Sequence, residues 1–411
     1  MSTTPRRVLS PIHVNVLIFS LTMVAVVALY VCGTQIAALD GLRHASGLVV
    51  GRDFVNYWMG GLAVVGGHVE QLFDFETYMQ ALREVFGQDY PVHNWSYPPH
   101  YLFAVAPLGL LAYVTAYVLW ILVGVAVYAA AVRALRLSIP WVLIVVAVAP
   151  PVLINVSYGQ NGLLTAALLL AGLGLRDRRP WLAGVLLGIL TIKPQLGVLV
   201  PFVLVMQQNW RTIAAACLTF VVLFIASTVA FGWTPWLAYV SDTVPFQAHV
   251  MTEASGVFIA MMPSAFMAGR GLGLDAGSAI LLHLPFAAIG MFLVLWTAWS
   301  TREADDRIGA TAVTIAATFV VAPYVFTYDM AAMTGAVLIW LAAYPERFGP
   351  LRGLLAVLAL SLPFFSHFVA HGGYPVAPLA LLALSAVMTH DVCGGIWPWS
   401  RRVAGRHFNP E

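Results

Sequence analysis

The sequence predicts an all-α, polytopic integral membrane protein of about twelve transmembrane spans. Three observations carry that reading: 61% of the 411 residues are apolar, only 9% are charged, and the apolar residues fall in long runs. Soluble domains hold about 45–50% apolar and about 25% charged residues, so these few charges cannot cover a water-facing surface. The net charge of +2 arises from 19 Arg and one Lys, Lys193, against 18 acidic residues. No basic run is interleaved with aromatics, so nucleic-acid binding has no support. Cys32, Cys217 and Cys393 stand far apart in or beside apolar runs. Without a CxxC pair they imply neither a disulfide framework nor a zinc site.

In chain order, a first span over about 15–39 follows Arg6 and Arg7. It is too long for a signal-peptide core and suits an uncleaved anchor. An external loop over 40–99 comes next, with an amphipathic stretch from Val69 to Phe86 that could lie flat in the interface. A helical bundle over 100–231 holds candidate spans near 113–135, 140–157, 160–175, 180–192, 194–207 and 211–231. A second external loop covers 232–275, and a second bundle over 276–391 holds spans near 276–300, 308–325, 328–344, 350–371 and 375–391. A cytoplasmic tail covers 392–411, and the whole chain reads as one membrane domain.

Arginine placement sets the orientation. With the N-terminus inside, 15 Arg fall in cytoplasmic segments, and Arg43, Arg52, Arg83 and Arg270 fall outside. Residues 98–112, interrupted by Pro107 and Gly109, are read as non-spanning, because a crossing there would invert every later loop. Both termini are thus expected in the cytoplasm of a cell (inner) membrane protein, with the long loops on the external or periplasmic side.

Against this background a few polar groups stand out. Lys193 interrupts the apolar run WLAGVLLGILTIKPQLGVLVPFVLV beside Pro194. A cation at a helix centre costs about 2.5–3.5 kcal/mol on the insertion scale. It either serves an anionic lipid head group, snorkels to the interface, or pairs with a structural carboxylate. If it projects into a water-filled cavity, Lys193→Met should leave the protein inserted and stable. Asp53, in GRDFVNYW with Tyr57, is a candidate base, or else a cap or a partner of Arg52. Trp95, Tyr97 and His100 lie in NWSYPPHY, whose rings suit either an interface belt or the wall of a sugar path. Tyr158, Gln160 and Asn161 cluster in SYGQNG, and Tyr328 with Asp329 closes YVFTYDM. No His, Cys or carboxylate spacing indicates a metal site.

Taken in order, GRDF, YPPHYLFAVAPLGLL, YGQNGLL, GVLLGILTIKPQ and PYVFTYD resemble glycosyltransferase family 87, over roughly residues 50–345. The resemblance implies the C-type membrane glycosyltransferase fold and transfer of a sugar, by family precedent mannose, from a polyprenyl-phosphate donor to a lipid or envelope-glycan acceptor. It places Asp53 as general base and the Lys193-Pro194 element near the donor phosphate, with Arg52 as a second candidate there. Tyr57, Trp95, Tyr97, His100, Tyr158, Gln160, Asn161, Gln195, Tyr328 and Asp329 are candidates for lining substrate or lipid. Relatives often carry His at the last join, where this chain has Tyr328-Asp329. No cofactor beyond the donor substrate is implied, and the partners are the bilayer, the donor and the acceptor. Two other classes fit the composition: a secondary transporter or lipid flippase, and a structural subunit of an envelope assembly in which Asp53 and Lys193 pair with each other. The 60-residue external loop argues against a transporter.

Overall fold

A computed structural model describes residues 40–44, 46–137, 149–253, 255–304, 307–371 and 376–394, together with 22–26, 29, 30 and 33. Most of the expected first span, Cys32, the first half of the span near 140–157 and all but the start of the 392–411 tail lie outside these residues. Among the described residues the elements are helical, apart from isolated bridges between Asp40, Arg43 and Val49. A helix satisfies its backbone groups internally, which an apolar chain in lipid requires.

The helices of nine residues or more are α1 (Phe54–Gly66), α2 (Phe75–Phe86), α3 (Tyr113–Ala134), α4 (Pro150–Tyr158) and α5 (Gly162–Leu175). They continue as α6 (Pro180–Ile189), α7 (Trp210–Phe231), α8 (Val244–Glu253) and α9 (Ala276–Ser300). The last are α10 (Ile308–Val321), α11 (Ala331–Ala343), α12 (Pro350–His371) and α13 (Val376–Val392). Helices α3, α7 and α9 are long and apolar enough to cross a membrane, and α5, α6, α10, α11, α12 and α13 are shorter apolar helices. The long ones carry exposed apolar side chains such as Leu122, Val229 and Leu281, which suit lipid. Helices α5, α10 and α11 are buried along most of their length and form the centre.

Small residues let the helices approach. A Cβ at Gly184 of α6 would lie 2.4 Å from the Thr212 carbonyl of α7, and one at Gly335 of α11 would lie 2.4 Å from the Leu170 side chain of α5. Close backbone approach replaces the hydrophobic drive that is absent between helices in lipid. One end of the bundle is tied by arginine. The Arg176 side chain, 2% exposed, donates to Gln207 Oε1, Thr311 Oγ1 and the Arg307 carbonyl. Asp391 accepts there from Arg352 and from Trp340 Nε1, joining α11, α12 and α13.

The 40–99 segment is folded rather than a simple loop. Turns bridged between Asp40, Arg43 and Val49 lead into helix α1, and the Val69–Phe86 stretch is split in two. Val69–Leu72 forms a 3-10 turn, and Asp74 caps α2 by accepting from the Thr77 N–H at 2.9 Å. Helix α2 buries Tyr78, Met79 and Leu82 within the protein, so its apolar face is covered by the chain itself. Residues 99–110 form three short helical pieces, none longer than five residues, far below the roughly 20 needed to span. They pack on α1 at Gly61 and Gly109, where a Cβ on Gly109 would lie 2.2 Å from the Gly61 carbonyl carbon. The 232–275 segment is also helical, with Phe246 of α8 stacked on Phe75 of α2 at 5.2 Å.

This packing has a direct test. Gly61→Ala and Gly109→Ala force backbones apart, and such overpacking costs about 1–3 kcal/mol, so each should lower the melting temperature in nanodiscs. Gly124→Ala places its Cβ 3.6 Å from Leu163 and improves helix propensity, so it should be neutral or stabilising. Equal melting temperatures for all three variants would show that the Gly61–Gly109 contact is loose.

Candidate functional site

The site is assembled where helices break. In GRDF, Gly51 (φ 79°) and Arg52 (φ 35°) turn the chain left-handed, and Gly159 (φ 63°) does the same after α4. A Cβ on Gly159 would lie 2.5 Å from Phe54 Cβ and 2.9 Å from the Gly51 carbonyl oxygen. Glycine therefore answers both the backbone angle and the space at that point. The two turns dock, with the Asp53 N–H donating to the Tyr158 carbonyl at 3.2 Å. Trp120 of α3 donates to the Gly159 carbonyl at 3.1 Å and holds the pair from outside.

Asp53 sits at the N-cap position of α1 but makes no capping bond with its side chain. Its Oδ2 accepts instead from Gln160 Nε2 at 2.7 Å. Gln160 Oε1 accepts from the Tyr57 hydroxyl at 2.7 Å, which orients the amide. Because Tyr57 has spent its one proton there, the 2.9 Å bond between the Tyr57 and Tyr97 hydroxyls is donated by Tyr97. The Asn161 N–H also donates to Tyr57 Oη at 3.2 Å, and Asn161 Nδ2 donates to the Tyr101 hydroxyl at 3.1 Å. The other carboxylate oxygen, Asp53 Oδ1, lies 3.8 Å from His93 Nε2. His93 Nδ1 faces the Pro91 carbonyl at 3.4 Å, so it carries a proton, and Nε2 forms an ion pair with Asp53 when it is protonated too. The Asp53 side chain is 28% exposed, so this carboxylate remains reachable.

The last two motifs complete the wall. Lys193 follows the 3-10 turn Leu190–Ile192 in a non-helical conformation (φ −137°, ψ 76°) and precedes another, Pro194–Gly197. Its Nζ donates to Asp329 Oδ1 at 2.7 Å and lies 4.9 Å from the centre of the Tyr328 ring. Both charges are buried, and Asp329 Oδ2 accepts from the Phe326 N–H at 3.3 Å. Asn155 Nδ2 donates to the Tyr328 and Pro151 carbonyls, pinning this join to α4. Asp53 and Asp329 both act electrostatically on the hydroxyls of Tyr97 and Tyr328, so the two carboxylates share one neighbourhood.

The structure thus brings Asp53, Tyr57, Trp95, Tyr97, Gln160 and Asn161 together, and Lys193, Tyr328 and Asp329 beside them. The Arg52 guanidinium, half-buried, lies 4.8 Å from the centre of the Tyr158 ring. Two candidates stand apart. His100 is stacked on Trp236 at 5.7 Å and hydrogen-bonded to Thr191 Oγ1 at 3.2 Å, and burial holds its pKa down to about 4, so it is neutral at pH 7. Gln195 is half-buried and makes no side-chain hydrogen bond among the described residues. Two readings change. Trp95, Tyr97 and Tyr101 are buried in the protein rather than exposed as a belt. Lys193 is buried, being 6% exposed, and its partner is Asp329, not Asp53. The pairing of Asp53 with Lys193 required for a purely structural role is therefore absent. His93 and Asn155 escaped attention as site residues, and no local spacing ties them to Asp53 or Tyr328. Among the described residues no group of three or more His, Cys, Asp or Glu could hold a metal ion.

Residues 95–327, more than half of the chain, match the family model described as Glycosyltransferase family 87. The match spans Trp95 to Thr327, so it includes Gln160 and Lys193 and begins after Asp53. No curated protein matches the chain, and no solved structure does.

The Lys193–Asp329 pair reverses the stability expectation for Lys193→Met. That substitution leaves a buried carboxylate without its cation, a loss of about 3–5 kcal/mol, and should sharply lower the melting temperature in nanodiscs. Lys193→Met combined with Asp329→Leu removes both charges and should recover most of the loss. A double variant no more stable than the single would rule out the ion pair as the cause.

Proposed function

The chain belongs to glycosyltransferase family 87, and from that premise we propose that it moves a sugar from a polyprenyl phosphate to an acceptor hydroxyl at the external face of a cell membrane. Membership makes the protein a glycosyltransferase, and its apolar helices fit a membrane enzyme. Mannose as the sugar, and a lipid or envelope glycan as the acceptor, follow the family's precedent. The external placement is supported by the arginine-poor character of the site end, opposite the arginine-tied end of the bundle.

One observation carries the mechanism: the hydrogen-bonded chain Tyr97–Tyr57–Gln160–Asp53. Gln160 occupies Oδ2 and fixes the carboxylate plane, which leaves Oδ1 to receive a proton. In the reaction the acceptor hydroxyl gives that proton to Asp53 as its oxygen bonds to the anomeric carbon, and the phosphate departs with the electron pair of the glycosidic bond. Fixed orientation of this kind supplies much of a general base's effect. Asp329, the nearby second carboxylate, is buried and already paired, so it is poorly placed to form a glycosyl-enzyme intermediate. A single displacement with inversion follows: a β-linked donor gives an α-linked product.

The developing charge on the phosphate needs a cation. Lys193 enters through an ion pair whose net charge is zero, so the larger share of phosphate recognition falls to Arg52 at the half-buried rim. Lys193 and Asp329 hold two helix breaks in register.

The test is transfer from a radiolabelled polyprenyl-phosphate sugar by purified protein in nanodiscs. Asp53→Asn should lower turnover by about 10² or more, and Gln160→Ala should lower kcat while leaving donor KM nearly unchanged. Arg52→Gln should raise donor KM more than it lowers kcat. Normal turnover by a folded Asp53→Asn protein, or product with the donor's own anomeric configuration by NMR, would overturn the mechanism.

A further inference from the structure

A cavity lies at the end of the bundle away from the candidate site. It is a half-open space of about 460 Å³ between the end of α3 (Leu135, Arg136), the turn after α5 (Arg178), the start of α10 (Gly309) and the end of α11 (Ala342, Tyr344). The candidate site is at the opposite ends of the same helices. Helix α5 alone separates the two by 14 residues, or roughly 21 Å at 1.5 Å per residue. The cavity is therefore distinct from the site around Asp53.

Six of its ten lining residues are Leu, Ile or Ala, although the surface they present to it is more polar than apolar, and Arg136 and Arg178 among the lining are exposed. Neither guanidinium has a hydrogen bond or ion pair among the described residues. Of the other arginines at this end, Arg176, Arg307, Arg347 and Arg352 are engaged by protein groups. Arg133, Arg179 and Arg211 are exposed and, like Arg136 and Arg178, have no such partner among the described residues, but they do not line the cavity. The depth of the cavity is marked by tryptophan. Trp181 at the start of α6, Trp210 at the start of α7 and Trp299 at the end of α9 are 57%, 60% and 49% exposed, all at this end of the bundle. The Arg302 guanidinium lies 3.6 Å from the centre of the Trp299 ring. Exposed tryptophan and arginine together mark the level of lipid head groups.

We propose that this cavity binds an anionic phospholipid, its phosphate held by Arg136 and Arg178 and the start of an acyl chain laid against the aliphatic wall. The volume falls in the range of small-molecule sites, roughly 300–1,000 Å³. Two cations with no partner among the described residues, in a cavity whose lining includes Leu, Ile and Ala and which lies at head-group depth, match an amphiphile with a negative head better than a free anion or a neutral lipid. Basic pockets between helices on the arginine-rich side are the form such recognition takes.

The test is native mass spectrometry of the full chain released from vesicles of equal phosphatidylglycerol and phosphatidylcholine. The wild type should retain phosphatidylglycerol in preference to phosphatidylcholine. Arg136→Gln with Arg178→Gln should lower that preference by about ten-fold or more, with the melting temperature and sugar transfer of the wild type preserved. Ala342→Phe keeps both charges and fills the cavity, so it should lose the lipid as well. Undiminished preference in either variant would overturn the proposal, as would displacement of the lipid by millimolar inorganic phosphate. The result is independent of the sugar-transfer reading, because lipid retention is measured without donor or acceptor.

Discussion

The backbone contact between Gly51 and Gly159 is the constraint on which the site depends. Two left-handed turns meet there with no room for a side chain, and their meeting puts Asp53 opposite Gln160. Each further link follows from that registration. Gln160 is oriented by Tyr57, Tyr57 by Tyr97 and the Asn161 backbone, and Asn161 opens α5. A shift of either turn by one residue would leave Tyr57, fully buried, with hydroxyl bonds it could not replace from water.

The same end of the bundle also concentrates what a bilayer normally excludes. Irregular backbone and charge are tolerated at membrane depth where protein surrounds them. Here Lys193, Asp329 and the 3-10 turns around them are enclosed by Tyr328, Asn155 and α5. Their mutual neutralisation in a low-dielectric surround makes the pair costly to break from either side. It also leaves Asp53 as the half-buried, reachable carboxylate of the cluster and Arg52 as the cation at its rim. The opposite end is organised differently. Arg176 and Asp391 each bind several partners and tie helix ends, while Arg136 and Arg178 face outward beside a cavity. One bundle thus carries the candidate site at one end and a basic, arginine-rich cluster with a cavity at the other.

Much of this was legible in the chain. The apolar composition fixed a helical membrane fold, because no other backbone arrangement of such residues survives in lipid without a closed barrel. Lys193 and Asp53 stood out because charges are rare in this sequence, and Pro194 announced the helix break that carries Lys193. The amphipathic pattern of 69–86 was visible, but its division at Asp74 depended on a capping bond to Thr77. Aromatics were harder to read. Trp95 and Tyr97 have the composition of an interface belt, and only the packing of α1 against residues 95–110 turned them inward.

Composition and local pattern therefore determined the class, several of the apolar helices and the list of unusual polar residues. The partners were decided by tertiary structure alone. Asp53 meets Gln160 across 107 residues and Lys193 meets Asp329 across 136. Spacing along a helix relates residues three or four apart and says nothing at that range. Which breaks face one another is set by glycines that let particular backbones touch, and that is a property of the assembled bundle.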